Sequence, residues 1–387
     1  MIMSNHVNRR NFLKLSATAG AALALAPASI HARESGMNKK KIPVRTLGRR
    51  TGIKLPVLSM GVMNADNISV VRAAYNSGII MFDTAHGYQN GRNEEMLGEF
   101  FTDKPRNSFI LATKVREAPS DNAAASFLEK FETSMKRLKM SYVDILYVHM
   151  PTDVNYSPIL EVILKLKKDG RIKFTGLSTH SNEPAIINAA VDNGNYDVVL
   201  TSYNYTQKHL AELNPAIDRA AKAGLGIVAM KTMAGGYLDR EKTQKVNTRA
   251  ALKWALQNPN IHTAIPGFTS FDMLEESLDA TMNLKMNKDE KKYLSMTHSS
   301  MYCQGCRICV GQCPRRLPIP EMMRAYMYNY GYKSPALAKE LIDELALTDE
   351  LCSDCSICTV KCAADFKIAQ KVKDISRLQN VPKEFLT

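Results

Sequence analysis

The amino-acid sequence predicts an α/β fold in which a (β/α)8 barrel is followed by a small, mainly helical domain. Between residues 44 and 296, eight short apolar strands alternate with amphipathic helical segments, a pattern typical of a parallel sheet covered by helices. All eight cysteines follow residue 302, in two spaced groups. The first 32 positions hold charged residues followed by a run of small apolar residues. We therefore divide the chain into residues 1–32, 33–43, 44–296 and 297–387.

The N-terminal segment has the charged, apolar and small-residue order of an export signal. Arg9 and Arg10 precede an apolar run that ends at Ala28, and they resemble the pair of a twin-arginine signal, whose route exports folded proteins. Residues 1–32 are therefore predicted to be a twin-arginine signal peptide that directs the protein to the periplasm or another exported location. The run is too short for a good membrane span, and retention as an anchor is the alternative. Residues 33–43 are predicted to be a solvated linker.

The distribution of charge argues against nucleic acid as a partner. The formal net charge is +13, but residues 1–50 hold ten Lys and Arg against one acidic residue, which leaves only +4 for the other 337 residues. No basic helix interleaved with aromatic residues is apparent in this mildly basic body.

A disulfide-built secreted protein would scatter its cysteines through the fold, which this chain does not do.

The barrel prediction rests on the order of the elements after a short hairpin at 44–47 and 53–55. The predicted strands are 57–61, 79–83, 109–113, 143–149, 174–178, 198–202, 226–230 and 263–266. Amphipathic helices are predicted between them, for example at 68–76, 123–138, 159–168 and 249–257. A doubly wound open sheet is the alternative, but no glycine-rich dinucleotide fingerprint follows the first strand.

Four residues at or just after the ends of successive predicted strands carry ionisable groups. Asp83 ends the second strand, Tyr88 follows on its loop, Lys114 ends the third strand and His149 ends the fourth. Chemistry in a (β/α)8 barrel occurs at this end of the strands. Each residue alone has an ordinary structural interpretation, such as helix capping or packing at the rim. Four at the same end favour an active site.

These four residue types suit the reduction of a carbonyl group. Hydride addition leaves negative charge on the carbonyl oxygen, which then needs a proton donor and hydrogen bonds. Tyr88 can be the donor, and a nearby Lys114 ammonium is expected to lower its pKa. Asp83 can hold Lys114 in place, and His149 can orient the substrate oxygen.

The segments that contain these residues resemble the aldo-keto reductase family over residues 44–296. They are Asp83-Thr84-Ala85 with Tyr88, Ala112-Thr113-Lys114 and Val148-His149-Met150-Pro151, followed in the expected order by Gly176-Leu177-Ser178, Ser202-Tyr203-Asn204 and Ile265-Pro266-Gly267. The resemblance implies a barrel that acts on a small carbonyl or alcohol and binds a nicotinamide cofactor across the strand ends. It also implies that Asp83, Tyr88, Lys114 and His149 are the catalytic tetrad.

The cofactor site that the resemblance implies departs from the usual pattern. Its positions here are Gly61, Ser178, Asn204, Met230, Lys231, Gly267, Thr269 and Glu276. Thr179, Leu200 and Met230 stand where the family usually has Asn, Gln and Tyr, and Gly267 and Met273 replace the Lys and Arg that grip the 2′-phosphate. No strong NADPH preference is therefore expected. The chain either uses NADH, with at most weak use of NADPH, or takes its electrons from another source.

The cysteines have the spacing of [4Fe–4S] ligands, twice. The first group is Cys303, Cys306, Cys309 and Cys313, followed by Pro314; the second is Cys352, Cys355, Cys358 and Cys362, followed by Ala363. This is the bacterial ferredoxin spacing, in which the fourth cysteine of each run binds the other cluster. That rule groups Cys362 with the first three cysteines of the first run, and Cys313 with the first three of the second. Zinc or disulfides are the alternative.

The region between the two cysteine groups resembles the helical type of two-cluster ferredoxin. Helices are predicted at 320–328 and 334–345, and a Met- and Tyr-rich run at 322–328 is expected to pack against the neighbouring domain rather than form a partner surface. A barrel with such a tail resembles the ferredoxin-bearing branch of the aldo-keto reductases.

The sequence thus predicts an exported iron–sulfur oxidoreductase in which electrons pass between two [4Fe–4S] clusters and a carbonyl or alcohol, with a redox protein as a candidate partner. One alternative is a nicotinamide-dependent reductase with structural clusters. The other is a barrel without catalysis that serves as an electron-transfer docking module.

Overall fold

The computed structural model describes residues 42–116, 118–237, 243–296, 301–347, 351–352 and 358–386. These belong to one compact unit, Ile42–Thr387. The predicted signal peptide, nearly all of the linker, and Cys355 lie outside the described residues. No helix within the described ranges is long and apolar enough to cross a membrane.

The barrel consists of a hairpin and eight parallel strands. The hairpin strands are β1 (Val44–Thr46) and β2 (Lys54–Pro56). The parallel strands are β3 (Met60–Gly61), β4 (Met81–Asp83), β5 (Ile110–Val115), β6 (Val143–His149), β7 (Ile172–Thr179), β8 (Val198–Ser202), β9 (Gly226–Met230) and β10 (Thr263–Ala264). Their order is sequential, and single bridges from Leu58 to Ala264 and from Gly61 to Gly267 close the ring. The predicted barrel is confirmed.

The predicted strand ends differ most at the point of closure. The predicted bounds of β6, β8 and β9 are the observed ones, whereas the expected strands at 57–61 and 263–266 shorten to two residues each. The reason is that β3 and β10 meet through isolated bridges rather than a continuous ladder.

Helices cover the outer face of the barrel. They are Ile68–Asn76, Arg92–Phe101, Ala123–Leu138, Ser157–Lys168, Glu183–Asn193, Leu210–Lys222, Thr248–Gln257, Phe271–Met282 and Lys288–Ser295. Their apolar faces and the outward strand residues form the larger core. A second core fills the barrel interior, where Tyr147 is fully buried. Gly176 makes room for it, because a Cβ there would lie 2.4 Å from the Tyr147 ring.

The C-terminal region, called the cluster domain below (residues 301–386), has its own helical core. Its helices are Ile319–Tyr330, Pro335–Glu344 and Ile368–Ser376. Met322, Met323 and Tyr326 are buried in this core. Arg324 and Tyr328, from the same helix, hydrogen-bond His180 of the barrel. Met322 and Met323 therefore pack within their own domain, and the expected contact of this run with its neighbour is made by Tyr328 and Arg324.

Candidate active site

Asp83 and Lys114 form a buried ion pair at adjacent strand ends. β4 and β5 are hydrogen-bonded neighbours, so Asp83, the last residue of β4, lies near Lys114, the last residue but one of β5. The Lys114 ammonium also donates to the Thr84 carbonyl oxygen at 2.7 Å. Burial raises the pKa of Asp83 and lowers that of Lys114, and each charge opposes the shift of the other. The pair holds both side chains in one arrangement.

The loop after β4 places Tyr88 over this pair. Lys114 Nζ lies 4.9 Å from the centroid of the Tyr88 ring, which is a cation–π contact. The His149 ring meets the Tyr88 ring edge-on, with centroids 6.3 Å apart. Gln89 and Asn90 adopt left-handed backbone conformations directly after Tyr88, with φ of 52° and 55°. The structure thus brings together all four predicted tetrad residues.

The electrostatics of Tyr88 differ from the expectation. Burial raises the pKa of Tyr88 well above its usual value, and Asp83, Tyr328 and Tyr332 add to this rise. Although Lys114 contacts the ring face of Tyr88, the pKa of Tyr88 is raised overall and not lowered as predicted. The phenol therefore keeps its proton at neutral pH.

The imidazole of His149 is neutral. Burial lowers its pKa well below the usual range, and the cations Lys114, Arg116, Lys231 and Arg324 act in the same direction. A neutral imidazole has one N–H donor and one acceptor, so it can bind a carbonyl or hydroxyl oxygen without supplying a charge.

The cluster domain covers the strand ends on the other side of the mouth. Arg324 donates to the His180 carbonyl oxygen at 2.8 Å, and Asn204 donates from Nδ2 to Gln304 Oε1 at 2.9 Å. Gly305 approaches closely, because a Cβ there would lie 2.8 Å from the His180 carbonyl oxygen. Sequence reasoning missed His180 and Arg324. The only local signal was the position of His180, directly after β7.

An ion pair adds a second link between the domains. Arg116 Nη2 lies 2.6 Å from the Glu344 carboxylate, with both side chains about a third exposed. Arg307 contributes a hydrogen bond to Ser181 Oγ at 3.3 Å. The cluster domain is thus attached to loops after both β5 and β7.

The residues implied to bind nicotinamide are only partly available. Ser178 Oγ is buried and has no partner among the described residues, as expected of a cofactor contact. Asn204, however, is bonded to Gln304 and to the Lys231 carbonyl oxygen. The cavity between Lys231, Ser202 and the cluster domain has a volume of about 20 Å³. A water molecule needs about 10–15 Å³ on this measure, so a nicotinamide ring does not fit this arrangement.

The other implied cofactor positions lie along a more open edge. Gly267, Thr269 and Glu276 are exposed at the helix Phe271–Met282, whereas Gly61 lies at the closure of the barrel. Met230, at the end of β9, is 9% exposed. The residues implied to contact the adenosine are therefore accessible, while Asn204 and Lys231 on the implied nicotinamide side lie against the cluster domain.

Three of the cysteines predicted to share a cluster with Cys303 lie within electrostatic range of its thiol. Cys306, Cys309 and Cys362 act electrostatically on Cys303, whose pKa burial raises to about 12. The Gly305 N–H donates to Cys303 Sγ, and the Ala364 N–H to Cys362 Sγ, both at 3.4 Å. Thiolates ligating a cluster accept such bonds. No three His, Cys, Asp or Glu side chains of the described part converge on a single metal ion, so these thiols interact at longer range.

The two cysteine runs are also bonded to each other. Lys361 donates its backbone N–H to Gln312 Oε1 at 2.6 Å, and Thr359 donates to the Gln312 carbonyl oxygen at 3.0 Å. Cys313 and Cys352 both pack against the core of the cluster domain, and Cys358 is exposed. The fit to the second predicted cluster depends on Cys355, which lies outside the described residues.

A larger cavity of about 400 Å³ adjoins the Tyr88 loop. It is lined by Gly87 and Asn90 from that loop, by Arg137, and by Glu340 and Lys383 of the cluster domain. Its volume is within the range of small-molecule sites.

The closed ring of eight parallel strands, with ionisable side chains gathered at the strand ends, defines an enzyme of the (β/α)8-barrel class. Residues 58–250 match the Aldo/keto reductase family. Residues 6–26 match the twin-arginine translocation signal sequence, and residues 302–367 match a 4Fe-4S dicluster domain. The chain is therefore an oxidoreductase with an aldo/keto reductase domain and a 4Fe-4S dicluster domain, and its signal directs export by the twin-arginine pathway.

Similar proteins extend over nearly the same region. L-galactose dehydrogenase of Arabidopsis thaliana is 26% identical over 66% of this chain and 93% of its own length. Glyoxal reductase of Bacillus subtilis is 27% identical over 64% of this chain and 94% of its own length. The solved structure of the aldo-keto reductase AKR11C1 from Bacillus halodurans, in its holo form, covers 65% of this chain and 95% of its own, with 23% identity and a TM-score of 0.55. The structural likeness supports the fold.

Proposed function

We propose that the chain reduces a small carbonyl compound, or oxidises the corresponding alcohol, with electrons relayed through two [4Fe–4S] clusters. The observation that carries this proposal is the position of Cys303. It lines the same small cavity as Lys231 and Ser202, which lie at the ends of barrel strands. A cluster bound by Cys303 thus borders the strand ends where barrel chemistry occurs.

The chain's own residues supply binding and protons. Reduction of a carbonyl to an alcohol takes two electrons and two protons. Tyr88 donates one of these protons to the substrate oxygen, because an alkoxide is a far stronger base than a phenolate, and water that enters the mouth supplies the other to the carbonyl carbon. His149 hydrogen-bonds the same oxygen, and the pair of Lys114 and Asp83 fixes the position of the Tyr88 ring.

The cysteine spacing supports the following set of ligands for each cluster. Cys303, Cys306, Cys309 and Cys362 hold one cluster, and Cys313, Cys352, Cys355 and Cys358 hold the other. Bound [4Fe–4S] clusters supply single electrons, so that two of them match the two-electron change of a carbonyl group.

Nicotinamide-dependent reduction is the second candidate. The exposed Gly267, Thr269 and Glu276, together with the unpartnered Ser178 hydroxyl, favour it. It requires the segment around Gln304 to leave Asn204, because that contact now occupies the nicotinamide side. We derive no catalytic step through this cofactor.

Anaerobic protein with verified iron and sulfide content tests the proposal. We expect dithionite to bleach the cluster absorbance, and glyoxal to restore it after removal of excess dithionite. NADH and NADPH are expected neither to bind tightly nor to bleach the clusters. Tight binding with hydride transfer to glyoxal, and no change in the clusters, would favour the second candidate. Absence of turnover with either donor would favour a docking module without catalysis.

A further inference from the structure

Arg324 is a buried cation that the cluster domain inserts into the barrel mouth. It is 5% exposed, and its guanidinium contacts the carbonyl oxygen of His180 at 2.8 Å and His180 Nε2 at 3.2 Å. Within the described residues it has no carboxylate partner, and its Nε has no hydrogen-bond partner. Arginine keeps its charge at neutral pH, so its burial is costly unless a ligand supplies an anion.

His180, which contacts Arg324, also has a polar atom without a partner. His180 Nε2 is contacted by Arg324 and by Tyr328 Oη at 3.3 Å, so we assign the proton to Nδ1. That Nδ1 is buried and has no partner in the described structure. Buried donors normally find an acceptor, so the His180 N–H is suited to an acceptor from outside the chain.

The remaining space suits a small head group. Arg324, His180 and Lys231 line the cavity of about 20 Å³ described above. That is the room of one or two water molecules, which is enough for a carboxylate but small for a phosphate ester.

The neighbouring cations already have counter-charges. Lys114 is paired with Asp83, and Arg116 is paired with Glu344. Lys231 interacts electrostatically with the carboxylate of Glu183 and with Cys303.

Arg324 differs from these three cations. Burial lowers its pKa to about 10, and the groups that act on it besides are Tyr328, Arg116 and Tyr332 rather than a thiol. Arg324 is also among the cations that lower the pKa of His149.

We propose that Arg324 binds the carboxylate of the substrate, so that the preferred substrates are oxo acids rather than neutral aldehydes or ketones. The planar guanidinium matches a carboxylate in shape and charge. The inference rests on the proposed function, because it names the substrate class of the same mouth. It assigns to the cluster domain a role in specificity besides electron transfer.

The test compares acids with their isosteric amides at two chain lengths. The substrate pairs are pyruvate with pyruvamide, and 4-oxobutanoate with 4-oxobutanamide, reduced by dithionite-treated holoenzyme. We expect the wild type to prefer the acid of at least one pair. In R324M, kcat/KM for that acid should fall by a factor of about 30 or more, while its amide changes by about threefold at most. R324Q, which retains hydrogen-bonding capacity, should show the same loss.

The matched control is the double variant R116Q/E344Q. It removes an ion pair between the same two domains without changing the net charge, so the preference for the acid should remain. A wild type that reduces acid and amide equally well would overturn the inference. So would an R324M variant that loses both equally, since Arg324 would then act on the clusters or on the fold.

A binding experiment separates this inference from the proposed function. Succinate and succinamide are titrated calorimetrically into wild type and R324Q, with cluster content checked by absorbance. Succinate binding that requires Arg324, without reduction of any carbonyl, would refute the proposed function and leave the anion site standing. Equal affinity of succinate for wild type and R324Q would refute the anion site itself.

Discussion

The two sides of the barrel mouth treat buried charge in opposite ways. On the side of β4 and β5, Asp83 and Lys114 neutralise each other inside the protein. On the side of β7 and the cluster domain, Arg324 is equally buried but has no carboxylate partner among the described residues. The first side is complete in the folded chain, whereas the second has a net charge and several unused donors.

The difference separates catalytic scaffolding from recognition. A buried charge that is paired can position a neighbouring side chain without leaving a net charge in the protein interior. Lys114 positions Tyr88 in this way. An unpaired buried charge favours a ligand of opposite sign, because the ligand removes an electrostatic cost already present in the free protein. The same contrast predicts how substitutions on each side will differ.

The largest effect is expected at Tyr88, which lies between the two sides. Y88F removes the proposed proton donor and should lower kcat for carbonyl reduction by a factor of about 10²–10⁴. Cluster content and the apparent melting temperature should stay close to the wild type. Y147F is the matched control, because the Tyr147 hydroxyl is buried without a partner in the described structure. Similar activity losses in both variants would argue against a specific role for Tyr88.

The next effect is expected on stability at the paired side. K114M leaves the Asp83 carboxylate buried without its cation, which should lower the free energy of unfolding by about 3–5 kcal/mol. The double variant D83N/K114M should recover much of this loss. Anaerobic urea unfolding of the three proteins at neutral pH measures the difference. A K114M protein as stable as the wild type would show that this ion pair is dispensable for the fold.

A smaller stability effect is expected at the unpaired side. R324M removes a cation without a carboxylate partner, and this gain offsets the lost hydrogen bonds to His180. The free energy of unfolding should therefore change by about 1 kcal/mol or less. The same urea experiment as for K114M measures it. A loss as large as that of K114M would abolish the contrast between the two sides.

The smallest effect concerns His86, whose pKa is lowered to about 4 by burial and by Arg137 and Lys130. In the unfolded chain, the His86 imidazole is protonated below pH about 6.5. In the folded protein, it is protonated only below pH about 4. The free energy of unfolding therefore decreases as the pH falls from about 6.5 to about 4. Solvent screening limits the contribution to about 1 kcal/mol. H86N should lose less stability than the wild type between pH 7 and pH 5 in thermal unfolding. An equal loss would show that His86 does not contribute.

The sequence predicted the paired side well because each of its residues follows its own strand. The bounds of β6 were predicted correctly, and Asp83 and Lys114 lie at or next to the ends of adjacent strands, so local pattern placed the four predicted tetrad residues together. The cysteine spacing predicts that Cys362 shares a cluster with Cys303, and the two thiols lie within electrostatic range of each other.

The unpaired side could not be predicted in the same way. His180 and Arg324 are 144 positions apart, and no local periodicity records a contact over that separation. The direction of the pKa shift of Tyr88 and the space beside Asn204 also depend on how the cluster domain packs. The sequence pattern does not encode that packing. The Met- and Tyr-rich run indicated that packing would occur, but not which barrel loop it would meet.

The insertion of Arg324 into the mouth has a consequence for biogenesis. Translation completes the barrel before the cluster domain has left the ribosome, so an early barrel lacks one wall of its own site. That wall can form only after the C-terminal chain has been released and has folded, and cluster insertion is part of the same late stage. Because the twin-arginine pathway carries folded proteins, this wall folds in the cytoplasm before export, and the specificity proposed for Arg324 is acquired at that late stage.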